Sequence, residues 1–88
     1  MNSPVSPDGA RRSRVVLVEP ALTQLEKLTG GETHRLDRAI VAISVNPEIG
    51  TPVPDTLLRD YVDEVDSVRV IYYVTALRTI TIVAYVEA

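Results

Sequence analysis

Four tyrosines, a single histidine and a cluster of carboxylates are the groups in this 88-residue chain whose types suit chemistry. Asp63, Glu64 and Asp66 fall in the stretch YVDEVDS, and Glu64 is the one placed to act as a general base. An acidic strand has a simpler use as a solvated edge that discourages pairing with other chains, and clustered carboxylates repel a phosphate. His34, at the start of a predicted helix, suits a surface or capping role better than catalysis. One histidine without any cysteine does not supply the donors from which transition-metal sites are built, so neither a metal nor another cofactor is expected. Gly30-Gly31 lacks the spacing of a phosphate-binding loop, and Ser44 and Ser67 lack the context of a nucleophile elbow. Tyr61, Tyr72, Tyr73 and Tyr85 all fall in predicted strands, where packing is the ordinary use of a tyrosine.

Size and charge bound what can position these groups. A chain this short makes one small domain with a thin core, and without cysteine that core or a partner must stabilise it. The N-terminus MNSPVSPDGA lacks the basic start and apolar run of a signal peptide, and no uninterrupted apolar stretch reaches the length of a membrane span, so a cytoplasmic location is expected. Arg11, Arg12 and Arg14 outweigh Asp8 at the start, whereas the rest of the chain is acidic. An acidic body is a poor surface for general phosphate binding.

Residues 1–13, rich in proline and serine, read as a disordered tail, and residues 14–88 as the folded domain. RVVLVE (14–19) is a short apolar strand. Pro20 suits the first turn of a helix carrying Ala21, Leu22, Leu25 and Leu28, which Gly30-Gly31 is expected to stop. Thr33 is placed to cap a second helix, with Leu36, Ala39, Ile40 and Ile43 on one stripe, ending at Asn46-Pro47. NPEIGTPVPD is then a turn-rich connection. Strands over 57–65, 68–75 and 79–86, separated by short breaks, form an antiparallel meander. The order β-α-α-β-β-β predicts an α+β two-layer domain, a helical hairpin packed on one face of a mostly antiparallel four-stranded sheet.

Period-two alternation sorts the meander by face. Val68, Val70, Tyr72 and Val74, with Ile80, Ile82, Ala84 and Val86, are expected against the helices. Arg69, Ile71, Tyr73 and Thr75, beside Thr79, Thr81, Val83 and Tyr85, then form the opposite face. That face is too apolar for an ordinary solvated surface, so a partner is expected to cover it, and pairing of two copies into a homodimer is one way to do so.

Several stretches together resemble the RelE/ParE superfamily of toxins from bacterial type II toxin-antitoxin modules. VLVEPALTQLEKL is similar to the family's first strand and helix, AIVAISVNPEIGTPV to its second helix with an Asn-Pro-x-x-Gly ending, and LLRDYVDEVDSVRVIYYV to its central hairpin. The resemblance runs from about Val15 to Val86 and is most specific in VRVIYYV. It implies a growth-inhibiting toxin neutralised by a cognate antitoxin over the open sheet face or the helix surface, with the ribosome and its mRNA, or DNA gyrase, as target.

By that resemblance Arg69 matches the arginine that contacts the scissile phosphate in RelE-like nucleases, and a guanidinium suits this role because it is permanently charged and grips two oxygens at once. A cross-hairpin ion pair with Asp63, Glu64 or Asp66 is the alternative use of Arg69. The nuclease pattern also calls for positive charge on the preceding strand and for basic, arginine and tyrosine residues after the last one. Here the chain has YVDEVDS and Glu87-Ala88. Ribosome-dependent cleavage is therefore not the expected activity. A catalytically inactive toxin-like binding module and an mRNA interferase using Arg69 stand as alternatives. The residues expected to meet a partner or substrate are Ile71, Tyr73, Thr81, Val83 and Tyr85.

Overall fold

β-Branched residues at alternate positions and an amphipathic helix long enough to cover them determine the architecture. The computed structural model describes residues 13–88. In chain order the elements are β1 (Arg14–Leu17), α1 (Ala21–Glu26), α2 (Gly30–Val45), β2 (Thr51–Pro52), β3 (Arg59–Asp63), β4 (Val68–Val74) and β5 (Ile80–Glu87). The sheet runs β1-β5-β4-β3-β2, with β1 parallel to β5 and every other pair antiparallel. The α+β layering is as the sequence predicts, but among the described residues the sheet has five strands rather than four. The fifth is β2, inside the turn-rich connection, where flanking prolines confine pairing to two residues at a sheet edge, the place where a strand tolerates Pro52.

Leu36, Ala39 and Ile43 of α2 are buried against Val68, Val70 and Tyr72 of β4 and Val83 and Val86 of β5, with Ala21 of α1 closing the core. These are the α2 stripe and the β4 row expected from spacing alone. The boundary between the helices differs from expectation. Thr29, not Thr33, caps α2: its hydroxyl accepts the Glu32 N–H, and the Glu32 carboxylate accepts the Thr29 N–H at 2.8 Å. Two orphan amides are satisfied reciprocally, and this capping box overrides the tendency of Gly30-Gly31 to end a helix. Those glycines form the first turn of α2 instead. Residues 1–12 of the expected tail lie outside the described residues. Ser13 is buried, its N–H donating to the Ser44 carbonyl and its hydroxyl sharing a 2.6 Å hydrogen bond with Thr81.

The faces of β5 also differ. Val70 pairs with Val86 and Ile71 with Tyr85, but Tyr72 pairs with Val83, so Ala84 has no partner and a bulge interrupts the alternation. Beyond it every side chain changes face. Thr81 and Val83, expected on the open side, are fully buried in the core, and Ile80 and Ile82 take the open side in their place.

Tyr72 joins the sheet to the segment after α2. Its hydroxyl donates to the Pro47 carbonyl at 2.7 Å and accepts the Gly50 N–H at 2.9 Å, while Arg59 donates to the Gly50 and Glu48 carbonyls. Gly50 is buried so closely that a Cβ there meets the Tyr72 hydroxyl at 2.8 Å and the Arg59 Cβ at 3.1 Å. At Gly31 a Cβ meets nothing within 4 Å.

Opposite outcomes follow for two glycines. Gly31→Ala is expected to stabilise the fold by about 0.5–1 kcal/mol through the unfolded chain, and Gly50→Ala to destabilise it by about 1–3 kcal/mol through overpacking. Urea denaturation of the two variants checks both signs.

Burial is the main cause that raises the Tyr72 pKa, against the opposing pull of the Gly50 N–H and Arg59. A phenol held neutral in the fold contributes stability that is full below about pH 10 and is lost as pH rises through its higher folded value. Tyr72→Phe is therefore expected to cost about 1–3 kcal/mol at neutral pH by orphaning Gly50 and Pro47, and to lose less further stability in alkali than the unaltered chain. Denaturation midpoints measured across an alkaline pH series distinguish the two effects.

Candidate functional site

Both helices pack on one face of the sheet, and among the described residues nothing packs on the other. Register sorts that open face into rows. Arg14 lies beside Ile80 at one end; Val16, Ile82 and Tyr73 follow; then Tyr85, Ile71, Asp60 and Thr51; and Glu87, Arg69 and Val62 form the far end. The two middle rows are apolar and aromatic except at Asp60 and Thr51. The charges sit at the ends.

β4 places Arg69, Ile71 and Tyr73 together on this face because Val68, Val70 and Tyr72 are claimed by the core. Tyr85 joins them from β5, beyond the bulge. Of the residues expected to meet a partner, Ile71, Tyr73 and Tyr85 share the face with Arg69; Thr81 and Val83 do not. Ile82 and Val16, which sequence reasoning missed, occupy the central row. Val16 belongs there through the parallel β1–β5 pair, whose signal was the alternation of RVVL around Val15 and Leu17.

Arg69 is half exposed, and its Nε and Nη2 donate to the two oxygens of Asp60 at 3.0 and 2.8 Å. This is a forked ion pair that occupies the Nε/Nη2 edge of the guanidinium and leaves Nη1 without a hydrogen bond among the described residues, so a phosphate would have to share the cation with Asp60. Those hydrogen bonds, then the Asp60 charge, raise the Arg69 pKa further above its ordinary value. The partner is not one of the three acids expected. Asp63 accepts the Val65 and Asp66 N–H groups in the β3–β4 turn, and Asp66 binds Arg38 of α2. Glu64 makes no salt bridge among the described residues. Asp60 stands diagonally from Arg69 across β3 and β4, a relation that follows only once the register is known.

The Tyr85 hydroxyl donates to the Glu87 carboxylate, which raises the Tyr85 pKa, with burial as the next cause. Glu87 is also the cross-strand neighbour of Arg69. A shallow cleft of about 240 Å³ at this end is lined by Val62, Ser67, Val68, Arg69 and Glu87. Its two neighbouring carboxylates, Asp60 and Glu87, outnumber its one guanidinium. Among the described residues no group of three or more His, Cys, Asp or Glu side chains is placed to hold a metal ion, and no helix is long and apolar enough to cross a membrane.

A second concavity lies on the helical side. It measures about 330 Å³ and is lined by Val15 and Leu17 of β1, Leu25 of α1 and Thr33, Leu36, Asp37 and Ile40 of α2. β1 is the last strand of the sheet, so its outer edge borders this groove.

No protein-family model matches the chain, and no curated protein matches it. Solved structures do. The isolated Escherichia coli RelE toxin superimposes with a TM-score of 0.72 at 18% identity, over 85% of this chain and 82% of that one. The RelBE2 toxin-antitoxin complex of Mycobacterium tuberculosis gives 0.75 at 18% identity, over 86% and 96%. The archaeal RelE-RelB complex of Pyrococcus horikoshii gives 0.57 at 14%, over 86% and 93%. At these identities the likeness is one of fold, and the fold is that of the RelE toxins.

Because the Arg69–Asp60 pair is exposed, Arg69→Ala is expected to leave the denaturation midpoint essentially unchanged. A large drop in the midpoint would show that the pair is structural, and no functional loss in that variant could then be assigned to the guanidinium.

Proposed function

We propose that this chain is the toxin of a type II toxin-antitoxin pair, acting in the cytoplasm and held inactive by a cognate antitoxin. The observation that carries this reading is the extent of the fold match, most of this chain against most of the isolated RelE toxin. The M. tuberculosis neighbour is a crystal structure of a toxin-antitoxin complex, and another solved neighbour is an E. coli RelE variant in complex with an antitoxin peptide.

In this reading the antitoxin sits in the helix-side groove. Val15, Leu17, Leu25, Leu36 and Ile40 offer an apolar floor, and the free edge of β1 offers unpaired backbone groups alongside it. A strand or an amphipathic helix is the kind of segment that such a site accepts.

The open face engages the target, through Ile71, Tyr73 and Tyr85. It is better suited to a protein than to RNA. Arg69 is held by Asp60, Glu87 stands beside it, and among the described residues the only other cation on the face is Arg14 at the far end. Carboxylates on both sides of Arg69 oppose the approach of a polyanion. Inhibition by contact, as in the gyrase-directed branch of the superfamily, therefore suits the site better than mRNA cleavage.

Expression of the chain alone in a bacterial cell is expected to arrest growth, and co-expression of its genomic neighbour to relieve the arrest. Purified protein added to translating ribosomes is expected to leave mRNA intact. Growth without arrest would overturn the toxin reading. Ribosome-dependent cleavage that Arg69→Ala abolishes would instead assign the chain to the mRNA interferases.

A further inference from the structure

The open face carries two charges without a salt-bridge partner among the described residues, and they have opposite signs and opposite places. Arg14 stands in the end row beside Ile80, and Glu87 at the other end of β5. They are separated by roughly 20 Å along the strand direction, well beyond the distance over which solvent-exposed charges act at physiological salt. Neither neutralises the other within one chain. Between them lie Val16, Ile82 and Tyr73, then Tyr85 and Ile71. Arg69 and Asp60 satisfy each other and add no net charge to the face.

A surface with a positive end, an apolar middle and a negative end is complementary to itself when one copy is turned end over end. The geometry points to a homodimer in which two open faces pack together about a two-fold axis lying across the strands. Arg14 of each copy then approaches Glu87 of the other, and the rows of Val16, Ile82 and Tyr73 meet the rows of Tyr85 and Ile71. This is an isologous contact, which closes on itself and stops at two subunits. The alternative two-fold axis, along the strands, keeps both Arg14 side chains at one end and both Glu87 side chains at the other, so it brings neither to its opposite charge.

The size of the face limits the strength of the contact. Four interstrand spacings across and eight residues along β5 give roughly 19 by 24 Å, at the low end of specific interfaces. Such a dimer exchanges with monomer as concentration changes. The inference does not depend on the toxin reading; if both hold, the second copy and the target compete for one face.

Sedimentation velocity of the full chain from about 5 to 500 µM tests it. The expected result is a concentration-dependent dimer. Glu87→Arg and Arg14→Glu are each expected to weaken association roughly tenfold, because each places like charges in contact at two symmetry-related points, and the double variant Arg14→Glu/Glu87→Arg is expected to restore it. Far-ultraviolet circular dichroism on the same samples confirms that each variant is folded. A monomer at every concentration, as required if residues 1–12 or a different protein occupied the face, overturns the inference. A dimer that both single variants leave unweakened, or that the double variant fails to restore, overturns it equally.

Discussion

The hydroxyl of Tyr72 joins two parts of the chain that would otherwise meet only through apolar contact. It holds the Pro47 carbonyl and the Gly50 amide at once, fixing the path of the chain as it leaves α2 and enters the sheet edge. Without that anchor the segment has three prolines and an asparagine to direct its bends but nothing to place them against β4. Beside it Arg59 binds the neighbouring Glu48 and Gly50 carbonyls, β2 gains its two paired residues, and the helical layer is tied to the far side of the sheet from β1. A phenol serves here because its ring fills the core between α2 and the sheet while its one polar atom reaches the backbone at the rim. The close approach explains the glycine of the Asn-Pro-x-x-Gly ending: no side chain fits where the tyrosine oxygen must sit.

The other layer is fastened by polar contacts at its ends. The Ser13 hydroxyl pairs with Thr81 beneath β1, Gln24 of α1 accepts the Val86 N–H, and Arg35 and Arg38 of α2 hold the β3–β4 turn through Asp66. Each contact joins residues far apart in sequence. A thin core of mostly valine and alanine specifies its layers loosely, because small apolar side chains pack in more than one way. Directional bonds at the margins select one arrangement.

The elements that could be read directly from the sequence were those dominated by local periodicity. The stripe of Leu36, Ala39 and Ile43 and the row of Val68, Val70 and Tyr72 are set by helix and strand repeat, and both are where spacing put them. Thr29 and Glu32 also stand at capping-box spacing, but the two glycines between them suggest a break more strongly than the box suggests a start. The bulge at Ala84 had no comparable signal. A one-residue slip in pairing is a property of two strands together, and it moved Thr81 and Val83 into the core and Ile80 and Ile82 out of it. The partner of Arg69 was hidden for the same reason. Proximity in sequence favoured the acids of the hairpin turn, but Asp63 is taken by the turn backbone and Asp66 by Arg38 of α2.

The bulge also decides what kind of surface the open face is. With unbroken alternation, β5 would present Thr79, Thr81, Val83 and Tyr85 beside Arg69, a mixed face with threonine hydroxyls able to bind phosphate oxygens. The slip buries Thr81, where its hydroxyl is matched by Ser13, and sets Ile82 between Val16 and Tyr73. One unpaired residue therefore converts a face with polar character into a continuous apolar band. Asp60 adds to this by taking the Nε/Nη2 edge of Arg69. Both features sit within a RelE-like fold, and together they make the open face more apolar and its arginine less available.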